Sequence, residues 1–113
     1  IYRMGWCLDY PDENNWVLEV FHPTKGQNYG KWSMDDPGAA RFAQVVEDAA
    51  KESDPAKRAE LYFEAEQLLC VDNAVAVMAY FYGSQGLTKS YLERTYSKQG
   101  GGAHYNLWKV KAH

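Results

Sequence analysis

The sequence predicts an α/β fold: a small mixed sheet with about three helices, the last two forming an αα-hairpin. Three observations predict it. The opening stretch 1–8 carries Ile1, Tyr2, Trp6 and Leu8 and then stops at a turn, as a strand does. Two apolar stripes at helical spacing each follow an Asp-Pro pair. The run from Ala74 to Tyr82 is nearly all apolar, short, and rich in β-branched and aromatic residues, which argues strand over helix.

Each element has its own justification. Pro11 cannot continue a ladder, and Asp9, Asp12, Asn14 and Asn15 are turn and cap residues, so the first strand ends near residue 8. A short helix over roughly 13–21 follows, with Trp16, Val17, Val20 and Phe21 on one face and Pro23 ending it. Residues 22–36 hold turn formers and no periodicity, and read as a loop whose aromatics, Tyr29 and Trp32, pin it down. Asp36-Pro37 signals the next helix start, and Phe42, Val45, Val46 and Ala49 form one clean face. That helix stops near Ser53. Asp54-Pro55 repeats the signal, and Leu61, Tyr62, Ala65, Leu68 and Leu69 form the second stripe. The short connection makes the two helices a hairpin. Arg58, Glu60, Glu64, Glu66 and Gln67 occupy mostly the solvent side.

The run 74–82 is apolar on both faces, as a central strand covered on two sides would be. A turn at Gly83–Gly86, a short strand at Leu87 to Lys89, a helical turn from Tyr91 to Tyr96, a flexible break at Gly100–Gly102 and a last strand from His104 to Val110, anchored by Trp108, complete the reading.

Bulk properties narrow the function. A length of 113 residues allows one domain, 1–113, with one modest core. A net charge of −3 without a basic stripe speaks against nucleic acid. No apolar run approaches the ~20 residues needed to span a bilayer. Aromatics make up 15% of the chain, with nine Tyr and four Trp, more than a core of this size needs. Such a surplus lines binding surfaces or is covered by the rest of a larger protein. The chain opens on Ile1 inside an apparent strand and reads as a truncated or mature piece.

No enzyme signature emerges. Ser33, Ser53, Ser84, Ser90 and Ser97 lie on loops without a Gly-x-Ser-x-Gly elbow, and Asp35–Asp36 reads as a cap, so a small hydrolase ranks low. Cys7 and Cys70 are too far apart for a CxxC motif, and His22, His104 and His113 show no ligand spacing with them, so neither metal nor cofactor is expected. The chemistry concentrates instead at residues 3–15. There the predicted strand delivers a carboxylate, large aromatics and a thiol to its carboxyl end, where open sheets collect ligands. For Asp9 the alternatives are a ligand contact and an Asx-turn or helix cap. For Trp6 they are a ligand wall and core packing. Strand alternation puts Cys7 and Asp9 on one face and Trp6 and Leu8 on the other.

Gly5-Trp6-Cys7-x-Asp9-Tyr10-Pro11-Asp12-x-Asn14-Asn15 resembles the signature segment near the carboxyl end of the bacterial oligopeptide- and dipeptide-binding proteins, the family 5 extracellular solute-binding components of ABC importers. Asp54-Pro55-x-x-Arg58-x-x-Leu61-Tyr62-x-x-Ala65-Glu66-x-x-Leu69 is similar to a second block of that family. At 74–82 the family has a strand that carries a Pro where this chain has Val77 and Met78. The resemblance implies a piece of the carboxyl-terminal lobe of a periplasmic-binding-protein type II fold, with the amino-terminal lobe missing. It implies a peptide or other small solute as ligand, a membrane permease as partner and an extracytoplasmic location. It implies that Asp9 receives a ligand ammonium, that Trp6 and Tyr10 line the site, and that Arg3 approaches a ligand carboxylate, although Arg3 equally suits a pair with Glu13 or Glu19. An oxidising compartment favours a Cys7–Cys70 bridge, worth roughly 4 kcal/mol, over two buried thiols. The alternative function is a stand-alone interaction domain that grips a protein through its aromatic surface.

Overall fold

The computed structural model describes residues 1–81, 83, 85–96 and 104–112. The chain divides into two units, 1–79 and 80–113. The first holds helices α1 (Asn14–Phe21), α2 (Ala39–Lys51) and α3 (Pro55–Glu66). The second holds strands β1 (Leu92–Glu93) and β2 (Lys109–Val110). In content the chain is α/β, with three α-helices and a two-stranded antiparallel sheet among the described residues, rather than the mixed sheet expected. No helix is long and apolar enough to cross a membrane among the described residues.

The first unit is built on the predicted faces. Phe42, Val45, Val46 and Ala49 of α2 are fully buried, as are Val17 and Val20 of α1, Ala65 of α3 and Leu69 just beyond it. Asp54 caps α3 by accepting from the N–H groups of Ala56 and Lys57 at 2.9 and 3.0 Å, with Pro55 in the first turn. Three residues join α2 to α3, which pack as the expected hairpin. After Glu66 the chain continues as a π-helical turn, Gln67–Asp72, that carries Leu69 inward.

Asp36-Pro37 does not begin α2. The Asp36 carboxylate instead accepts from Ser33 N–H at 2.8 Å, and α2 starts one residue after Gly38. Gly38 sits at φ +77°, and a Cβ there would meet the Asn73 side chain at 2.4 Å, so the entry needs glycine on two counts.

The loop after α1 is pinned as expected. Trp32 is buried, with its ring 5.1 Å from that of Phe42. Asn28, at φ 47°, stitches the loop by donating to the carbonyls of Pro23 and Trp32 and accepting from Trp32 N–H. Gln27 and Tyr29 donate to the Glu19 and Val20 carbonyls at the end of α1. His22 is fully buried; its Nδ1 accepts from Thr24 and Lys25 N–H, and its Nε2 stands 3.4 Å from Glu47 Oε1.

Several strand expectations are overturned. Residues 1–8 form no strand, and Ile1, Tyr2 and Leu8 are exposed while Met4 and Trp6 lean on the core. In the 74–82 run, Val75 and Ala76 lean on the core, and their N–H groups donate to Leu69 O. Val77, Met78, Tyr80 and Phe81 are exposed without forming a strand, and Tyr82 lies outside the described residues. The reason is common to both: apolar β-propensity makes a strand only when another backbone completes its ladder. Among the described residues neither segment has such a partner.

The cysteine expectation is corrected as well. Cys7 and Cys70 are both free thiols, Cys7 exposed and Cys70 packed at the margin of the core as a small apolar side chain.

In the second unit, Leu92 pairs with Val110 and Glu93 with Lys109. Where a helical turn is expected at 91–96, Leu92–Glu93 is instead a short strand, because β2 supplies its hydrogen bonds, and 94–96 are irregular. The expected strand at Leu87 to Lys89 is irregular, with Lys89 O accepting from Leu92 N–H in the turn into β1. The segment from His104 is strand only at β2, after a 3₁₀ turn at Tyr105–Leu107. Trp108 anchors this unit: the Arg94 guanidinium lies 4.6 Å over its ring and Tyr105 packs at 4.7 Å. The Gly100–Gly102 break, Ser84, Ser97 and His113 lie outside the described residues.

Candidate functional site

The expected site residues gather around the first turn of α1. Asn15, on its second residue, is completely buried, and its amide is bonded on every side. Oδ1 accepts from Trp6 Nε1–H at 2.9 Å and from Asp9 N–H at 3.1 Å. Nδ2 donates to Glu19 Oε2 at 3.1 Å and, more weakly, to Asp9 Oδ2 at 3.4 Å. The other Glu19 oxygen accepts from Tyr10 O–H at 2.6 Å, and Tyr10 in turn accepts from Asn14 Nδ2 at 3.1 Å. That bond to Glu19 is the main cause that raises the Tyr10 phenol above its ordinary pKa.

Strand alternation would have sent Trp6 and Asp9 to opposite faces. With no strand present, both converge on one amide. Trp6 is half-buried, with its indole ring 6.4 Å from Tyr29. The Asp9 and Tyr10 side chains lie at the surface. Asp9 is not the cap of α1; the Asn14 N–H is taken by Asp12 Oδ1 at 2.9 Å. Arg3 and Cys7 are exposed on the segment leading in.

A second device holds this turn in place. Asp12 receives a two-pronged bond from Arg58 of α3, Nη2 to Oδ1 at 2.8 Å and Nη1 to Oδ2 at 3.0 Å. Arg58 also donates to Tyr62 O–H at 2.8 Å and to Ala49 O at 3.1 Å, with its guanidinium 4.7 Å over the Tyr62 ring. The Arg58 bond holds the Asp12 carboxyl below its ordinary pKa. Beside it, burial and then the Glu66 carboxylate push Glu13 up.

Two shallow depressions open on this unit, one lined by Glu13, Arg58 and Tyr62 and one by Lys31, Trp32, Asp36 and Asn73. Neither is lined by Trp6, Asp9 or Tyr10. Among the described residues no group of three or more His, Cys, Asp or Glu side chains is placed to hold a metal ion.

Sequence reasoning missed two organisers. Asn15 reads as a turn residue and Arg58 as part of a solvated face. The available signals were the helical i,i+4 spacing of Asn15 and Glu19, and an arginine on the first turn after Asp54-Pro55.

Comparison with known proteins places the chain beside peptide binders. It is 30% identical over 90 residues to the periplasmic oligopeptide-binding protein OppA of Salmonella typhimurium, covering 80% of this chain and 15% of that protein. It is 34% identical over 68 residues to the di/tripeptide-binding protein 1 of Pseudomonas aeruginosa, covering 58% and 12%. It is 33% identical over 90 residues to the oligopeptide-binding protein AliB of Streptococcus pneumoniae, covering 68% and 13%. The chain therefore spans about 12–15% of the length of these relatives. No family model and no solved structure matches it.

Proposed function

We propose that this chain, a relative of a segment of the oligopeptide- and dipeptide-binding proteins, is the ligand-contacting part of a solute-binding lobe that serves peptide uptake through an ABC importer. The observation that carries the reading is the meeting of Trp6 and Asp9 on Asn15, with the Asp9 carboxylate left at the surface and not spent on capping α1. A surface carboxylate, tied to the same buried amide as an indole, suits a charge-assisted hydrogen bond to the ammonium of a peptide. A flat indole gives tolerant contact to varied side chains.

Trp6, Asp9 and Tyr10 are the proposed ligand-contacting residues, with Arg3 as a further candidate toward a ligand carboxylate. The proposed mechanism is clamp closure: ligand held between this surface and a second lobe stabilises the closed form, which a membrane permease then recognises. This takes place outside the cytoplasm. The rest of the longer polypeptide supplies the second lobe and the strands that the 1–8 and 77–81 segments pair with.

A second reading is favoured by one observation. Val77 and Met78 are exposed apolar side chains, which a stand-alone interaction domain would use to grip a protein.

Calorimetric titration of peptides into the isolated chain tests the first reading. A single jaw should bind feebly, so heats near the detection limit are expected. Micromolar affinity would contradict the requirement for a second lobe.

A further inference from the structure

We propose that Asn15 is the positioning residue of this surface, the one side chain that sets Trp6 and Asp9 relative to each other and to α1. The proposal rests on the reading of Trp6 and Asp9 as ligand-contacting residues, and it names what orients them.

Two residues, Cys7 and Leu8, separate Trp6 from Asp9 in a segment without a ladder, so no backbone pattern sets their relation. Asn15 does so from the rigid side. It is fully buried on α1, and all four of its hydrogen-bonding positions are taken. Only a carboxamide combines two acceptor sites with two donors. Oδ1 is the anchor, holding the Trp6 indole and the Asp9 backbone. Nδ2 is the orienter, drawing Asp9 Oδ2 and Glu19 Oε2 to one NH₂ group. Glu19 carries the constraint on to Tyr10. One amide thus disposes all three proposed contact residues.

The chemistry separates the two roles. Asn15→Ala removes both. Asn15→Asp keeps an oxygen for Trp6 and Asp9 N–H but replaces the donor with a third negative charge beside two carboxylates, which drives Asp9 out of place.

The test uses the full 113-residue chain, isotopically labelled, followed by NMR. The readouts are hydrogen exchange of the Trp6 indole N–H and the Asp9 amide, and the shifts caused by millimolar trialanine and its N-acetylated form. In Asn15→Ala, exchange of both protons should rise about tenfold or more, as expected for loss of roughly 1.4 kcal/mol of hydrogen bonding. The α2 amides over 42–49 should keep their protection. In Asn15→Asp the Trp6 indole should stay protected while the trialanine response disappears.

Protection of both protons surviving in Asn15→Ala overturns the proposal. So does a trialanine response that persists in Asn15→Asp, or loss of α2 protection in step with the two protons in both variants, which would make Asn15 a folding residue only. A wild-type chain that responds equally to the acetylated peptide, or to neither, overturns Asp9 as an ammonium acceptor. The exchange measurements then decide the positioning role alone.

Discussion

Asp12 and Arg58 stand 46 positions apart and meet through two nearly parallel bonds. Both side chains are about 30% exposed, so the pair is partly shielded from water and its geometry is the strong, forked kind. Arg58→Ala should destabilise the chain by roughly 1–3 kcal/mol in urea unfolding. Arg58→Lys should recover only part of that, because an ammonium cannot fork or lie flat on Tyr62. The pair also has a pH signature. The Asp12 carboxyl is held below its ordinary 3.8, first by the Arg58 bond, so its stabilisation is complete above that value and is lost as pH falls through the folded pKa. Wild-type acid unfolding should contain this component and Arg58→Ala should lack it.

His22 makes a second prediction at the same scale. Its Nδ1 accepts two backbone N–H groups and must be unprotonated, and burial pushes its pKa below 6.5 while Glu47 partly opposes. As pH drops below 6.5, the unfolded chain takes up a proton that the folded chain refuses, so stability falls until the folded pKa is passed. An Asn in this position can accept the same two N–H groups without titrating. His22→Asn should therefore flatten the stability curve between about pH 6.5 and 5, measured by urea midpoints, even if its neutral-pH stability is lower.

At the scale of elements, caps and close approaches set where the helices begin and how the loops pack. Asp54→Ala removes both cap bonds of α3 and should cost about 1 kcal/mol, read from thermal or urea unfolding. Gly26→Ala should cost more, because the added Cβ meets the Leu18 carbonyl at 2.1 Å and the Glu19 carbonyl at 2.7 Å at the end of α1. Those are backbone atoms and cannot swing aside, so roughly 1–3 kcal/mol or more is expected. The helices themselves were legible. The stripes Phe42–Ala49 and Tyr62–Leu69 bury as their spacing says, and α1 begins within a residue of its expected start. The misread start of α2 has a local cause. Asp36 spends its carboxylate on Ser33, and only the left-handed Gly38 turns the chain past Asn73.

At the scale of the whole molecule, the cysteines offer a direct check. Non-reducing intact-mass analysis with a thiol label should count two free thiols. Cys7 should react well before Cys70, which is half-buried and whose thiol is pushed up in pKa by burial and then by Glu66. A single product with no label taken up would overturn the free-thiol state. The relatives are some seven to eight times longer than the matched stretch, and that disparity bears on the exposed apolar run at 77–81. Exposed apolar side chains such as Val77, Met78 and Phe81 favour association, so sedimentation velocity should show self-association that rises with concentration.

The sequence alone determined the helices, the hairpin, the core faces and the kinship with peptide-binding proteins. Those features are written locally, in 3.6-residue periodicity, Asp-Pro caps and contiguous motifs, so neighbouring residues suffice to read them. Tertiary structure alone decided the strands and the site. A ladder exists only when a second backbone arrives to accept and donate, and 1–8 and 74–81 meet none among the described residues. Trp6 and Asp9 share a place because one buried amide on α1 binds both, and Arg58 locks their turn from a helix 46 residues away. Contacts of that range leave no periodic trace along the chain.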